Sequence, residues 1–380
     1  MKLQKICILG DGLTGLTTAL ALKNLNVEID LICKKDNTKK LKDTRVTAIS
    51  HSNLIFLEKH LKIGLKRNFW SCKKVHLYNE NKNKYANFLN IKEDTKFLMH
   101  IFENKIYKKI LIKEIKKTKN IIIINESVTK INFKSNSIDI KKKKYLYDLI
   151  ILCLGNKSSL YDQISNNRSI YKDYKEIAFT GSVKHNLKIV NPSQFFLSEG
   201  PLAILPYKKN YFSYVWSLNK DFYNLNKKKI DTILSKKIKD TLGKKIKFKL
   251  FNKQSFPIRL NLQSRYYRSN VLILGEGLHS IHPFAGQGFN LILRDIIVLK
   301  KLINENINLG FTIKNSNILK NFYDSRRAEN ILLGVGLDLT NNFFRSKNLS
   351  FLKNLIISNV SKYNIIKKVS KRISDKGIYF

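Results

Sequence analysis

The sequence predicts an α/β fold: a Rossmann-like dinucleotide-binding domain with an inserted antiparallel-sheet domain and a helical C-terminus. Three observations carry this. The chain opens on a strand, a glycine turn, a helix and a second strand; its middle changes to alternating patterning. Near residue 271 a buried strand, a glycine-rich loop and a helix return.

The elements follow in order. Ile6–Leu9 is apolar and β-branched, Gly10–Gly15 is punctuated by glycine, and Leu16–Leu25 has helical spacing, with Leu16, Ala19, Leu20 and Leu22 on one side. A second strand is expected at Val27–Cys33, which implies a parallel sheet. Later strands are expected at Ile121–Asn125, near Ser137–Ile140 and at Leu149–Leu154. Between about 175 and 260, stretches such as Phe195–Ser198, Leu202–Leu205 and Phe212–Leu218 alternate as antiparallel strands do. Val271–Leu274 again has the parallel character, a helix starts at about Gly288, and the pattern from Ile318 onward is mostly helical. These signals divide the chain into a discontinuous nucleotide-binding domain (1–66, 94–157 and 270–345), a substrate domain (67–93 and 158–269) and a basic helical tail (346–380).

Composition bounds the function. At 380 residues, two domains are the expectation, and 43% hydrophobic content is enough for real cores. No apolar run approaches the roughly 18 residues of a membrane span. The N-terminus has no apolar leader followed by a small-residue cleavage site, so residue 6 is expected to lie already inside a fold. Cys7, Cys33, Cys72 and Cys153 have no paired spacing, which argues against a disulfide framework or zinc ribbon and suits a reducing cytoplasm. The formal net charge is +43, but only 11 of the 71 cations are arginine. Phosphate and base recognition favours the arginine fork, whereas these lysines are spread everywhere among Asn and Ile. We read them chiefly as solvated, with attraction to anionic lipid left open and no nucleic-acid partner expected.

Three stretches carry chemistry. Gly10-Asp11-Gly12-Leu13-Thr14-Gly15 is G-x-G-x-x-G between strand and helix: Gly10 for the tight turn, Gly12 for close approach of a diphosphate, Gly15 for helix–strand packing. The acid that normally ends the second strand and holds a ribose is missing. Its position falls on Cys33, followed by Lys34 and Lys35; Glu28 and Asp30 come too early, and Asp36 would serve only through a shifted loop. In Asp43-Thr44-Arg45-Val46-Thr47-Ala48-Ile49-Ser50, ahead of an amphipathic helix, Arg45 can pair with a phosphate or lie along a cofactor ring, or is one more surface cation. The most distinctive stretch is Gly275-Glu276-Gly277-Leu278-His279-Ser280-Ile281-His282-Pro283-Phe284-Ala285-Gly286-Gln287-Gly288-Phe289-Asn290-Leu291. An acid at a strand end can accept hydrogen bonds from a polyol, and the loop offers backbone N–H groups at a helix start. His279 and His282 lack a third ligand for zinc, so no metal is expected; His282 as a general base has no partner visible in sequence. No residue is assigned a catalytic role.

Taken in order, these three blocks resemble the FAD-dependent aromatic hydroxylases, specifically the ubiquinone-biosynthesis hydroxylases. Glu103-Asn104, the run Gly200–Pro206 with Val215–Leu218, and Phe256–Leu260 agree, so the match extends from residue 1 to about 345. The resemblance implies a flavin hydroxylase fold in which reduced FAD activates molecular oxygen and the protein binds, orients and excludes water. It implies that Gly10, Gly12 and Gly15 take the diphosphate, that Arg45 lies beside the FAD and that Glu276 holds the ribityl chain. Pro283, Gly286, Gln287, Gly288 and Asn290 would line the flavin ring. The implied substrate is an aromatic ring carrying a polyprenyl chain, a precursor of ubiquinone. The implied protein is cytoplasmic, with the tail from Phe343 to Phe380 either resting on the inner face of the membrane or packed on the core, and with a quinone-synthesis complex as a further partner. Three departures stand out: Cys33 for the ribose acid, Glu276 where the family has Asp, and Leu154-Gly155-Asn156 where it has Asp-Gly. The last leaves NAD(P)H as electron donor open, and with it two alternatives: a flavoprotein-fold scaffold without turnover, or a flavin dehydrogenase or reductase.

Overall fold

A computed structural model describes residues 3–33, 43–61, 64–81, 84–156, 158–165, 169–283, 286–346, 368, 371–373 and 375–377. Asp36, Phe284, Ala285 and most of the tail from Phe343 to Phe380 lie outside these residues.

The centre is a six-stranded sheet in the order Tyr267–Arg268, Val271–Ile273, Leu149–Leu152, Gln4–Leu9, Val27–Cys33, Ile121–Asn125. All its pairings are parallel except Tyr267–Arg268 against Val271–Ile273. Strands covered on both faces must be continuously apolar, and Ile6, Ile8, Ile29, Leu31, Ile150 and Leu272 have no exposed surface. The helix Leu13–Leu22 begins three residues earlier than its apolar spacing indicates, because Gly12 in extended conformation caps it and leaves Leu13 and Thr14 free to be helical. It runs from the first strand to the neighbour on one side, while Leu149–Leu152 pairs on the other. The chain therefore diverges at the carboxyl end of Gln4–Leu9, where open α/β sheets bind ligands.

An eight-stranded sheet stands beside it, in the order His279–Ser280, Phe248–Gln263, Ser169–His185, Tyr211–Asn219, Gly200–Lys208, Ser193–Leu197, Lys74–Asn81, Lys84–Lys92. It is antiparallel except where Ser193–Leu197 meets Lys74–Asn81. Side chains alternate across it with a period of two. Leu202, Ile204, Tyr214 and Trp216 pack with Leu234 and Ile238 of the helix Ile230–Leu242. Ala203, Leu205 and Val215, one residue out of phase, face a cleft on the other side. A small sheet of Val46–Ser50, Met99–Glu103 and Trp70–Cys72 bridges the two large ones. The helices Gly288–Asn308 and Ile318–Arg345 pack against one another and close the back.

Among the described residues no helix is long and apolar enough to cross a membrane. All four cysteines are unpaired.

Candidate functional site

A single cleft of about 2490 Å³ separates the carboxyl ends of the parallel strands from the inward face of the inserted sheet. Gly12, Leu13 and Thr14 line it from the first helix start, Glu276 and Gln287 from the loop after Val271–Ile273, Arg45 from the segment before Val46–Ser50, and Leu77, Ile91, Leu205, Val215 and Ile258 from the eight-stranded sheet.

At the first end the three glycines of the turn do different work. A Cβ on Gly10 (φ +118°) would sit 2.2 Å from the carbonyl oxygen of Cys153, and one on Gly15 would sit 2.0 Å from the carbonyl oxygen of Gly10. Those two glycines let strand, turn and helix close on one another. Gly12 alone faces the cleft, and a Cβ there would meet nothing within 4 Å. Of the three glycines expected to take a diphosphate, Gly12 is the one that lines the cleft, beside the first turn of the helix, which carries no acidic residue.

The Asp43–Ser50 block and Glu103-Asn104, far apart in sequence, form one cluster. Arg45 is held by Asp43 through Nε (2.9 Å) and Nη2 (3.0 Å). Asn104 donates through Nδ2 to Asp43 (3.2 Å), accepts from Thr47 Oγ1 (2.6 Å), and its backbone N–H donates to the Arg45 carbonyl (3.0 Å). Burial would raise the Asp43 carboxyl, but the hydrogen bonds and charge of Arg45 win and hold it below its ordinary range. The guanidinium is raised in turn, first by the Asp43 hydrogen bond, with a smaller contribution from Glu276 across the cleft.

Glu276 is the exposed residue of the short 3-10 turn Gly275–Gly277 between two buried glycines, so its carboxylate stands out into the cleft. Tyr161 fixes this turn: its ring lies against Gly277, and its hydroxyl accepts from the backbone N–H of Leu154 (3.0 Å). The Leu154–Gly155 turn and the Glu276 turn are thereby joined at the ends of adjacent parallel strands. Leu154 itself packs on the main core.

The Pro283, Gly286, Gln287 and Gly288 positions line the cleft. Gly286 takes a positive φ (+63°), and Gly288 starts the 21-residue helix with open space where a side chain would be. The Gln287 side-chain oxygen is buried and accepts no hydrogen bond. Asn290 is a correction. It is 3% exposed, and its amide is spent on protein. Its Oδ1 accepts from the Ser50 N–H and Asn53 Nδ2, both at 2.8 Å, while its Nδ2 donates to the carbonyls of Ala48 (3.2 Å) and Gly286 (3.1 Å). It holds the wall that the other four residues present, and does not itself line the cleft.

The two histidines have separate acid partners. His279 bonds Asp295 and His282 bonds Glu176 (3.1 Å); both imidazoles are buried. His282 thus has the partner that sequence could not show, 106 residues away. Among the described residues no cluster of three His, Cys, Asp or Glu could hold a metal. Burial would raise Glu176 and Asp295, but His282 and Arg345 lower the first, and Arg326 and His279 lower the second. Sequence reasoning missed Tyr161, Asn53 and Asp375, which have no motif around them. Asp375 folds back from the C-terminal end, accepting from the Ser52 N–H (2.9 Å) and pairing with Lys96 (2.9 Å).

These residues fit a dinucleotide flavin. Two helix starts without side-chain caps open on one cleft, Gly12 and Gly288 leave room that a Cβ would fill, and Gln287 holds an unspent buried acceptor. A parallel sheet with this cleft, joined to a large antiparallel sheet and a helical C-terminal part, is the architecture of the FAD-dependent monooxygenases. The fold is shared across its full length with p-nitrophenol 4-monooxygenase PnpA from Pseudomonas putida, with a TM-score of 0.77 at 12% identity over 99% of both chains. The Klebsiella pneumoniae protein HpxO, solved with FAD and uric acid, gives 0.73 at 14% identity over 98% of this chain and 97% of its own. In sequence, the mitochondrial ubiquinone biosynthesis monooxygenase COQ6 of Dictyostelium discoideum is 23% identical over 97% of this chain and 92% of its own. The 3-demethoxyubiquinol 3-hydroxylase of Escherichia coli is 26% identical over 46% of each. Residues 214–353 match the squalene epoxidase family model. In fold the chain is therefore similar to the FAD-dependent monooxygenases, and in sequence it is similar to the ubiquinone-biosynthesis hydroxylases.

Proposed function

We propose that this protein is an FAD-dependent monooxygenase that hydroxylates an aromatic ring of a polyprenylated ubiquinone precursor. The observation that carries the reading is one cleft to which the parallel-sheet side and its neighbouring segment bring Gly12, Arg45, Glu276 and Gln287, and the inserted sheet brings the apolar Leu77, Ile91, Leu205 and Ile258. In this reading segments 1–66, 94–157 and 270–345 carry the cofactor, and 67–93 with 158–269 carry the substrate.

When bound and reduced by a two-electron donor, FAD would supply the electrons by which one atom of oxygen is delivered to the ring and the other leaves as water. The chain's residues bind and shield it. Gly12 and the first turn of the Leu13–Leu22 helix receive the diphosphate, with Arg45, fixed by Asp43 and Asn104, facing the cofactor. Glu276 accepts hydrogen bonds from the ribityl hydroxyls. Pro283, Gly286, Gln287 and Gly288 form the floor against the flavin ring, on the wall that Asn290 holds. The apolar side chains of the inserted sheet orient the prenylated ring and exclude water. The charge of +43 supports peripheral contact with an anionic membrane, where such a substrate resides, and that surface is also where a quinone-synthesis complex would assemble.

The test is flavin content first and turnover second. The purified protein should show a flavin spectrum with FAD and, with NADH, NADPH or a chemical reductant supplied, convert a prenylated phenol to a product heavier by one oxygen, labelled from ¹⁸O₂. A protein that stays colourless with excess FAD overturns the reading. One observation favours a second reading, a flavoprotein-fold component without hydroxylase turnover. At the Asp-Gly position of the family, Leu154 is half-buried against the core and brings no carboxylate to the cleft. Bound FAD with no reduction by NADH or NADPH, and no product under a chemical reductant, would select it.

A further inference from the structure

The acid expected at the end of the second parallel strand is Cys33, and the structure shows what stands beside it. The Gly10 N–H donates to the Ile32 carbonyl (2.9 Å), which brings the turn of the first strand against the end of the second. Asp11 follows Gly10 and Cys33 follows Ile32, so the two residues are neighbours at the strand ends, Asp11 lining the cleft and Cys33 standing behind it. Electrostatics agree: the Cys33 thiol is pushed up to about 11, mainly by burial, then by the charge of Asp11, with Lys108 opposing. Lys108, from the helix Asn104–Ile115 that packs on Leu13–Leu22, reaches Asp11 at 2.8 Å. Both side chains line the cleft and keep solvent contact, Asp11 at 51% and Lys108 at 37%.

A carboxylate between the first two glycines of a dinucleotide turn is unfavourable beside a diphosphate unless a cation offsets it. Here the cation is in place, and the carboxylate stands beside the strand end where a ribose-binding acid is expected. We propose that Asp11 replaces the missing strand-end acid and accepts hydrogen bonds from the ribose hydroxyls of the adenosine half of the cofactor, with Lys108 holding the carboxylate and offsetting its charge beside the diphosphate. The inference rests on the flavoprotein reading above. The sequence departure at Cys33 is then a relocation of the ribose contact from the second strand to the first turn.

FMN, which lacks the adenosine, separates this from a general effect on flavin binding. Affinities of the full-length apoprotein for FAD and FMN are measured by quenching of flavin fluorescence, for the wild type and Asp11→Asn. Asp11 is half-exposed and makes no core contact, so the variant should fold as the wild type does. The expected result is FAD binding weakened about ten-fold, with FMN binding changed less than about two-fold. Unchanged or tighter FAD binding overturns the proposal, since Asp11 would then be only a counter-charge for Lys108. Equal weakening of both flavins overturns it too, because the effect would not reside in the adenosine half. A wild type that binds neither flavin removes the flavoprotein reading together with this inference; a wild type that binds FAD beside an unaffected Asp11→Asn removes this inference alone.

Discussion

The ring of Tyr161 occupies the space that a side chain on Gly277 would need: a Cβ there would lie 2.2 Å from the phenol Cζ. From that position the Tyr161 hydroxyl accepts the Leu154 N–H and ties two strand ends into one rim of the cleft. Burial raises the phenol well above its ordinary range, so it stays protonated throughout the working pH range. Gly277→Ala should therefore displace Tyr161, lower thermal stability and loosen the Glu276 turn, whereas Tyr161→Phe keeps the ring and loses one hydrogen bond, about 1 kcal/mol. Thermal denaturation of both variants checks this; a Gly277→Ala protein as stable as Tyr161→Phe would contradict it.

Asn290 makes four hydrogen bonds with its one amide, joining the strand Val46–Ser50 to the helix at Gly288. Asn290→Ala leaves the buried Ser50 N–H and the Ala48 carbonyl without this partner. The expected cost is about 2–4 kcal/mol of unfolding free energy, with flavin affinity falling as the wall shifts. Asn290→Asp keeps the two acceptor contacts but sets a carboxylate against two carbonyls, so it should not recover the loss. Denaturant unfolding of the two variants, with FAD titrations alongside, measures both effects.

Arg45 is fixed by Asp43, and Asp43 by Asn104. Asn104→Ala should leave Arg45 mobile and weaken FAD binding about three- to ten-fold, while Asn104→Asp sets a second negative charge against Asp43 and weakens it further. Flavin titration resolves the series, and equal affinity for all three proteins would show that Arg45 needs no such support.

A pH effect follows from His100. Its imidazole is fully buried between Ser71 Oγ (2.7 Å) and His51 Nδ1 (3.0 Å), and burial, followed by the charge of His51, lowers it from 6.5 to about 4. The unfolded chain therefore takes up this proton at higher pH than the folded one does. His100 contributes its full stability above about pH 6.5, and that contribution, up to about 3 kcal/mol, is lost as pH falls toward 4. Melting temperatures between pH 7.5 and 4.5 should drop more steeply for the wild type than for His100→Gln. Parallel curves would place the acid sensitivity elsewhere.

The parallel core was legible because strands covered on both faces must be continuously apolar, as Ile6–Leu9 and Leu149–Leu152 are. Patterning also carried the inserted sheet, since Leu202 and Ile204 point one way and Ala203 and Leu205 the other. What escaped was whatever depends on pairing across the chain. Nothing near Asn104 announces that it holds Asp43, and no motif surrounds Tyr161. Asn290 sits in a motif whose other members face the cleft, yet helical rotation turns its amide into the wall. The same limit made His282 look unpartnered, because Glu176 is brought to it by the long strand Ser169–His185. Asp11 was visible only as a variable position between glycines until the neighbouring strand end placed it beside Cys33.

Glu276 stands where the resembling family has the shorter acid, on a turn whose backbone is fixed by buried glycines on both sides. Its carboxylate is therefore aimed by the turn and lengthened by one methylene into the cleft. Removing it as Glu276→Ala takes away a charged acceptor for a polyol, worth about 1.5–3 kcal/mol, or roughly ten- to hundred-fold in FAD affinity. The exposed side chain supports no core contact, so the melting temperature of the apoprotein should stay within about 1–2 °C of the wild type, consistent with a surface change. Glu276→Asp shortens the reach and should fall between the two, unless Tyr161 and Leu154 let the turn advance. Equilibrium dialysis against FAD, with melting of the apoprotein as the fold control, distinguishes these outcomes. A Glu276→Ala protein that purifies with full flavin occupancy would remove Glu276 from the cofactor site.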